Sequence, residues 1–294
     1  YRFSRGSYDI QLQQEVKNAG GAALDVSPYV RLWQTPAASK PKSHFGGVST
    51  FDGLAYYEQK PGSSDYRFKK VKFDKLAEDP IDLQQKGGWL AMLQQYFIAA
   101  IIPPSGDAGT FTGKPSAAKG YVAQYVGTAV GVAQQQTHTF SSQIYLGPLL
   151  QKNIGAVAPG LDLAVDYGIL TPIARLIFWW MSFLHGLTHN WGFAIILMTL
   201  TVRGAMFKLS EAQYRSMAKM KKFAPRIAEL KERYAGDRER MSKATMELYK
   251  KEGFNPLAGC WPLVIQFPVF LALYWVLLES VELRQAPFML WIND

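Results

Sequence analysis

Cysteine is almost absent from this 294-residue sequence: Cys260 is the only one. That excludes an internal disulfide and any cysteine-based metal cage. Histidine is scarce too, with four in the whole chain. His44 and His138 stand apart from any carboxylate at metal-ligand spacing, so both read as ordinary surface or core histidines. No catalytic constellation stands out in the first half, and nothing calls for a metal, a cofactor or a small-molecule substrate. Acidic residues are outnumbered, 23 against 32 Lys and Arg, for a net charge of +9. An initiator methionine and a signal peptide are also missing, and Asp294 follows closely on a hydrophobic segment. The sequence therefore reads as a fragment cut at both ends.

What is present divides into a polar, β-rich first part and an apolar, helical second part. Tyr8, Ile10, Leu12, Gln14 and Val16 alternate with polar neighbours, the period of a strand. Asn18-Ala-Gly-Gly21 is a turn signal, and Leu24 to Trp33 is a second strand candidate. Pro36 to Gly47 reads as a loop. Phe51–Tyr57, Tyr66–Phe73, Tyr121–Val132 and Thr137–Leu146 are further strands, while Trp89–Ile101 is one short apolar run between Gly87-Gly88 and Pro103-Pro104. Many short strands separated by Gly and Pro turns predict a sandwich over residues 1–160. Lys69-Lys70-Val71-Lys72 reads as a solvated strand face, too small for a nucleic-acid site.

Residues 161–189 form a linker followed by the apolar segment Ile169–Leu187, which carries Trp179, Trp180 and Phe183 but also Pro172, Arg175 and His185. An interfacial amphipathic helix accommodates this mixture better than a span, with its tryptophans at headgroup level. The first span is expected at 190–209. Nothing from Trp191 to Val202 is charged; Arg203 follows, and apolar character resumes to Phe207. An arginine inside hydrocarbon costs at least ~2.5 kcal/mol on insertion scales. Either Arg203 snorkels to the near interface and marks the end of the span, or it faces a hydrated cavity and attracts a negative or polar guest.

Between Lys208 and Glu252 there are 13 basic and 7 acidic side chains, a net +6. A short loop so basic belongs on the cytoplasmic side. Met220, Phe223, Ile227, Leu230 and Tyr234 are spaced as a heptad seam; after Ala235-Gly236-Asp237, the positions Met241, Ala244 and Leu248 resume it. This predicts a helical hairpin over 210–254, with Pro225 a kink or joint in its first arm. It serves either as a plain connection or as a docking arm for anionic lipid, ribosomal RNA or an acidic protein face. A second span is expected within 255–281, with Gln266 as its main polar interruption between Pro262 and Pro268. Residues 282–294 form a second interfacial segment.

These pieces together resemble the YidC/Oxa/Alb family of membrane protein insertases. The resemblance is carried by Lys86-Gly-Gly-Trp-Leu-Ala-Met-Leu-Gln-Gln-Tyr-Phe97, Asn190-Trp-Gly-Phe193 leading to Val202-Arg203-Gly204, Ala212-Gln213-Tyr214 with Ser216-Met-Ala-Lys-Met220, Asn255-Pro256-Leu257 with Gly259-Cys260, and Val281-Glu-Leu-Arg-Gln-Ala-Pro287. It implies a multi-domain protein of the bacterial inner membrane: a periplasmic β-supersandwich, transmembrane helices and a cytoplasmic helical hairpin. It implies an insertase and chaperone for nascent membrane proteins, without enzymatic chemistry, acting alone or with the Sec translocon (SecYEG and SecDF) and the ribosome. Arg203, Thr199 and Gln266 match positions lining a hydrophilic substrate groove. The hairpin cations Lys219, Lys221, Lys222, Arg226, Arg233 and Arg238 match a docking region. The amino-terminal anchor, the start of the β domain and three further core spans of the family are not in the sequence.

A membrane-anchored periplasmic binding module is the competing class. An anchor gains nothing from a charge inside its span or from a long basic hairpin. A channel or transporter predicts more ionisable residues along both spans.

Overall fold

The computed structural model describes residues 1–35, 51–60, 62–151, 153–165, 167–234, 236–251 and 261–293. The Pro36–Gly47 loop, His44, Cys260 and the Asn255-Pro256-Leu257 motif lie outside the described residues. The chain forms two compact units, Tyr1–Asp166 with Glu279–Glu282, and Tyr167–Leu278 with Leu283–Asp294.

The first unit is β-rich. Its strands are β1 (Arg2–Phe3), β2 (Asp9–Lys17), β3 (Leu24–Val26), β4 (Tyr29–Gln34), β5 (Gly53–Gln59), β6 (Tyr66–Lys72), β7 (Ile81–Lys86), β8 (Trp89–Leu93), β9 (Phe97–Ile102), β10 (Ala108–Ser116), β11 (Gly120–Gly127), β12 (Val130–Val132) and β13 (Thr137–Pro148). Seven of them make one sheet in the order β1-β2-β13-β9-β8-β5-β6, and four make a second in the order β4-β11-β10-β7. Strands β3 and β12 pair apart.

The two sheets share one apolar core, which makes the unit a sandwich. Leu12, Leu54, Leu90, Met92, Ile101 and Ile144 come from the larger sheet; Val30, Ile81, Phe111, Ala123 and Tyr125 come from the smaller. Each fully buried Leu or Ile contributes roughly 1.5–3 kcal/mol. The alternation read over Tyr8–Val16 is strand β2, where Leu12 is buried between exposed neighbours. Trp89–Ile101 is two strands rather than one run. Strands β8 and β9 turn at Gln94–Tyr96, where Gln94 N–H donates to Phe97 O at 2.9 Å. All five residues of β8 are buried, so both faces are covered and no alternation is visible. The preceding turn needs glycine. Gly88 sits at φ +79°, and a Cβ there would lie 2.4 Å from Tyr57 O.

The Lys69–Lys72 face holds more than solvated cations. Glu58 on β5 is buried and accepts from both Arg67 and Lys69 on β6, the latter at 2.8 Å. Lys70 Nζ stands 4.9 Å from the centroid of the Phe51 ring.

The second unit is helical: α2 (Thr171–Thr188), α3 (Trp191–Ala205), α4 (Phe207–Arg233), α5 (Arg238–Lys251) and α6 (Trp261–Glu279), after the single turn α1 (Ile154–Val157) of the first unit. Pro172 lies in the first turn of α2, where its missing N–H costs nothing, and His189 ends the helix at φ +53°. Helix α2 buries Ala174, Ile177, Phe178, Met181 and Leu184, and α3 packs beside it, with Trp191 stacked on His185 at 4.0 Å. Asn190 caps α3: its Oδ1 accepts from Phe193 N–H at 3.2 Å. Its Nδ2 donates to Phe288 O at 2.6 Å, in the small hairpin of β14 (Pro287–Met289) and β15 (Ile292–Asn293).

Candidate functional site

A charge placed in apolar surroundings is the feature to locate first. Helix α3 buries little, Ala194 and Met198, and exposes Phe193, Ile196, Leu197 and Leu200. Helix α6 is 19 residues long with Glu279 its sole charge, and it exposes Leu263, Val264, Ile265, Phe267, Phe270 and Tyr274. Exposed apolar surface on this scale is unfavourable in water and natural in lipid. By length and composition α6 is able to cross a membrane, and α3 with α4 passes the same test as a pair bent by 60°.

Arg203 lies in the last turn of α3, about 18 Å along the helix from Trp191 by the rise per residue. It is exposed, and among the described residues no acidic group pairs with it. The bend at Met206 follows within one turn. Thr199 is four residues earlier, so it shares the Arg203 face of α3. Its hydroxyl donates to Ile195 O at 2.9 Å, which hides its polarity inside its own helix. Thr201 does the same toward Leu197 O at 2.8 Å. Gln266 is half-buried on α6, and its amide makes no hydrogen bond among the described residues. Arg203 and Gln266 thus set one guanidinium and one amide, neither with a partner among the described residues, into helices that are mostly apolar.

The basic segment is helical on both sides of the turn at Tyr234–Asp237. Helix α4 runs unbroken through Pro225, so that proline is not a joint. The seam is visible as coverage. Phe223, Ile227, Leu230 and Tyr234 are partly covered on α4, as are Met241, Ala244 and Leu248 on α5, while Met220 is exposed. Lys219, Lys222, Arg226 and Arg233 fall at spacings of 3, 4 and 7, one stripe beside the seam. Lys221 lies off it; all five are exposed, while the side chain of Arg238 is outside the described set. Among the described residues, i,i+3 and i,i+4 ion pairs such as Arg215–Glu211 at 2.7 Å and Lys243–Glu239 at 2.7 Å dress both arms.

On α2 the uncovered side is largely apolar: Leu176, Trp179, Phe183 and Leu187 are exposed at helical spacing, with Arg175 exposed one turn before Trp179. The β14–β15 hairpin carries a second such patch, with Leu290 and Trp291 each 81% exposed. In the β unit, Tyr57, Tyr66 and Trp89 stack around a recess of about 290 Å³. The Trp89 indole N–H donates to Pro159 O at 3.0 Å. His138 lies edge-on to Phe140 at 4.5 Å. Among the described residues no group of three His, Cys, Asp or Glu side chains is placed to hold a metal.

Sequence reasoning missed the contacts of Asn190 and the buried carboxylate of Glu58. Asn190 had a signal: Asn immediately before an apolar helix is a preferred N-cap. Glu58 had none, because a carboxylate in a strand looks the same whether its neighbours across the sheet are cations or water.

Residues 183–294 match the family model described as 60Kd inner membrane protein, and residues 1–180 match the YidC periplasmic domain. The membrane protein insertase YidC of Shewanella baltica (strain OS155) is 44% identical over 292 residues, covering 99% of this chain and 52% of its own length. That of Methylococcus capsulatus is 42% identical over 295 residues, covering 100% and 53%. That of Shewanella sp. (strain ANA-3) is 44% identical over 292 residues, covering 99% and 52%. The chain spans about half the length of the curated relatives it matches.

Proposed function

The chain belongs to the YidC family of inner-membrane proteins with a periplasmic domain, and from that premise we propose that it inserts other proteins into the membrane and assists their folding. The relatives it matches are named membrane protein insertase YidC. The observation that carries the reading is Arg203, an exposed, unpaired cation in an apolar helix. Helices α3 and α6 are spans, and Arg203, Thr199 and Gln266 line a hydrated groove between the membrane's faces. The β unit is periplasmic and of supersandwich type, α2 and residues 282–294 lie in the periplasmic interface, and α4–α5 is cytoplasmic.

The physics of the step is desolvation. A guest's polar outer segment must cross hydrocarbon, at several kcal/mol per unsatisfied backbone group. A hydrated positive recess shortens the dry distance and attracts acidic residues of the guest. The guest's apolar segment then leaves along the greasy face of α6, driven by burial of its own side chains. Only binding and release are involved, without a covalent step or a cofactor. Clients are nascent membrane proteins delivered by the ribosome or the Sec translocon. The exposed basic stripe on α4, Lys219, Lys222, Arg226 and Arg233 with Lys221 beside it and Arg238 beyond the turn, meets ribosomal RNA or anionic lipid.

The test is Arg203→Ala against Arg203→Lys in the full-length protein, with insertion of a client bearing an acidic outer tail as readout. Loss of one charge contact should lower insertion about tenfold for Ala, equivalent to ~1.4 kcal/mol. Lys should retain most activity. Equal tolerance of both substitutions would remove the charge from the mechanism.

A further inference from the structure

Strand β13 loses a neighbour partway along. It pairs with β2 from Thr137 to Tyr145, but with β9 only from Gln143 to Pro148. Over Thr137–Ser142 one flank has no partner strand among the described residues. The inward face changes there as well. Ile144 belongs to the core, and Ser142, Phe140 and His138 precede it at intervals of two, on the same face. An inward face that turns to Ser and His breaks the alternation a sandwich core needs, and such breaks gather at functional sites. Opposite them, Val30 and Tyr125 are the last core residues of the smaller sheet. Beyond these residues the sheets enclose a recess of about 330 Å³, within the range of small-ligand sites.

Asp107 is brought to this recess by a turn in which its N–H donates to Pro104 O at 3.0 Å. The Asp107 carboxylate, the His138 imidazole and the Ser142 hydroxyl have no hydrogen-bond partner among the described residues. The Thr128 hydroxyl donates to Ala108 O at 2.9 Å, and that of Tyr125 reaches the same acceptor at 3.4 Å, so both keep lone pairs that can accept. The Tyr125 ring is seated by a glycine, since a Cβ on Gly109 would lie 2.4 Å from its Cε2. Burial first and the charge of Asp107 second push the Tyr125 hydroxyl above its ordinary pKa of 10.0, which sets that carboxylate near the phenol. No Lys or Arg is among the described residues that line the recess.

This lining selects by chemistry. An anion would meet Asp107 with no Lys or Arg to offset it. An apolar ligand would shut the carboxylate, the imidazole and the hydroxyl away from water unpaired. A metal ion would find one carboxylate and one imidazole, short of a set of three. We propose that the recess binds a neutral, hydroxyl-rich ligand, a saccharide of one or a few rings. Asp107 accepts from adjacent hydroxyls, His138 and Ser142 complete the hydrogen bonds, and Phe140 lies against the apolar face of the sugar ring. The activity is binding, with no bond made or broken. It belongs to the β unit and does not rest on the insertase reading.

The test uses the full-length protein in lipid nanodiscs, because glycoside detergents would compete. Galactose, N-acetylglucosamine and the trimer of the latter are titrated, with saturation-transfer NMR as readout. At least one should bind saturably. Asp107→Asn should weaken that binding at least about tenfold, since a charge-assisted acceptor becomes a neutral amide. His138→Ala should weaken it severalfold, and Ser142→Ala, the smallest change on the inward face, should act in the same direction if His138→Ala fails to fold. Asp82→Asn removes an exposed carboxylate on β7 outside the recess and should bind as the parent does. Arg203→Ala should do the same. A trimer that binds more tightly than its monomer identifies a glycan chain, and equal affinities identify a single sugar; either result supports the site. Absence of saturable binding by all three sugars overturns it, as does binding that Asp107→Asn leaves intact. Binding of an extended Ser/Thr peptide with the sugars inert also overturns it, because the open flank of β13 would then be taking a backbone strand.

Discussion

Glu58 shows how a residue of no obvious interest becomes a structural determinant. It is buried on β5, and burial by itself opposes its ionisation. The hydrogen bonds from Lys69 and Arg67, and their charges, outweigh that opposition and hold its carboxyl below the ordinary value of 4.5. A depressed folded-state pKa contributes stability that is fully present above the unfolded value and is lost as the pH falls through the folded one. The β unit should therefore lose this contribution below about pH 4.5 and not in the neutral range. Glu58→Gln should cost roughly 1–2 kcal/mol at pH 7, less than a fully enclosed pair, because Arg67 and Lys69 are themselves 46% and 41% exposed and stay solvated. Denaturant unfolding of the β unit at pH 7 and pH 3.5 checks this. The gap between parent and variant should close at the lower pH, and a gap that persists would mean shape rather than charge is at stake. Tyr56, Tyr125 and Tyr145 in the same unit are pushed upward by burial, so none of them ionises in the range of that experiment.

At the scale of elements, α2 carries the most direct prediction. Its covered face of Ala174, Ile177, Phe178, Met181 and Leu184 is used in packing, while Leu176, Trp179 and Leu187 point away from it. If this side lies in the headgroup region, replacing those three residues by Ser should weaken binding of the piece 1–189 to lipid vesicles by at least about tenfold, since each buried large apolar side chain is worth roughly 1.5–3 kcal/mol at full burial. Unchanged co-sedimentation would assign that face to another protein surface. Helices such as this were legible in sequence because their period shows on one face. The Phe223–Tyr234 seam was legible for the same reason, whereas α6, apolar on every side, was legible from the length of its uncharged stretch. Strands β7 and β10 were not. Ile81-Asp-Leu-Gln-Gln-Lys carries residues that strands disfavour, and its two apolar positions, Ile81 and Leu83, acquire meaning only opposite Gly113 and Phe111 of β10. The run Trp89–Ile101 hid its turn because both of its strands are buried, and Gln94 to Tyr96 includes no Gly or Pro to announce a reversal. The 60° bend at Met206 had only a weak mark in the sequence, Gly204 two residues before it, for no proline stands near it. Of the candidate site, Arg203 was legible as a charge out of place. The grip of Asn190 on Phe288 spans 98 positions and follows only from the fold.

At the scale of the whole molecule, the division of labour between the two units and the α4–α5 hairpin is open to a single deletion. The β unit has its own core of Leu54, Leu90, Ile101 and Phe111, so its folding owes nothing to the basic helices. Under the same reading of α3 and α6 as spans, their exposed apolar surfaces make lipid, rather than the hairpin, the source of their stability. Removing Met217 to Met246 and closing the gap with a short Gly/Ser linker should therefore leave the β unit as resistant to added protease as in the parent and leave the protein in the membrane fraction. Under the insertase reading, client insertion should nonetheless fall by at least about tenfold, because encounter driven by a net-positive arm is lost along with the surface that receives the client. Restoring the α4–α5 seam with Lys219, Lys222, Arg226 and Arg233 changed to Gln separates the two contributions. A seam without the cations should keep its helicity, and its remaining defect should shrink as ionic strength rises in the parent, since screening removes from the parent what the substitutions removed from the variant. Full insertion by the deleted protein would reduce the hairpin to a connection between two spans and shift the whole of guest capture to Arg203 and its neighbours.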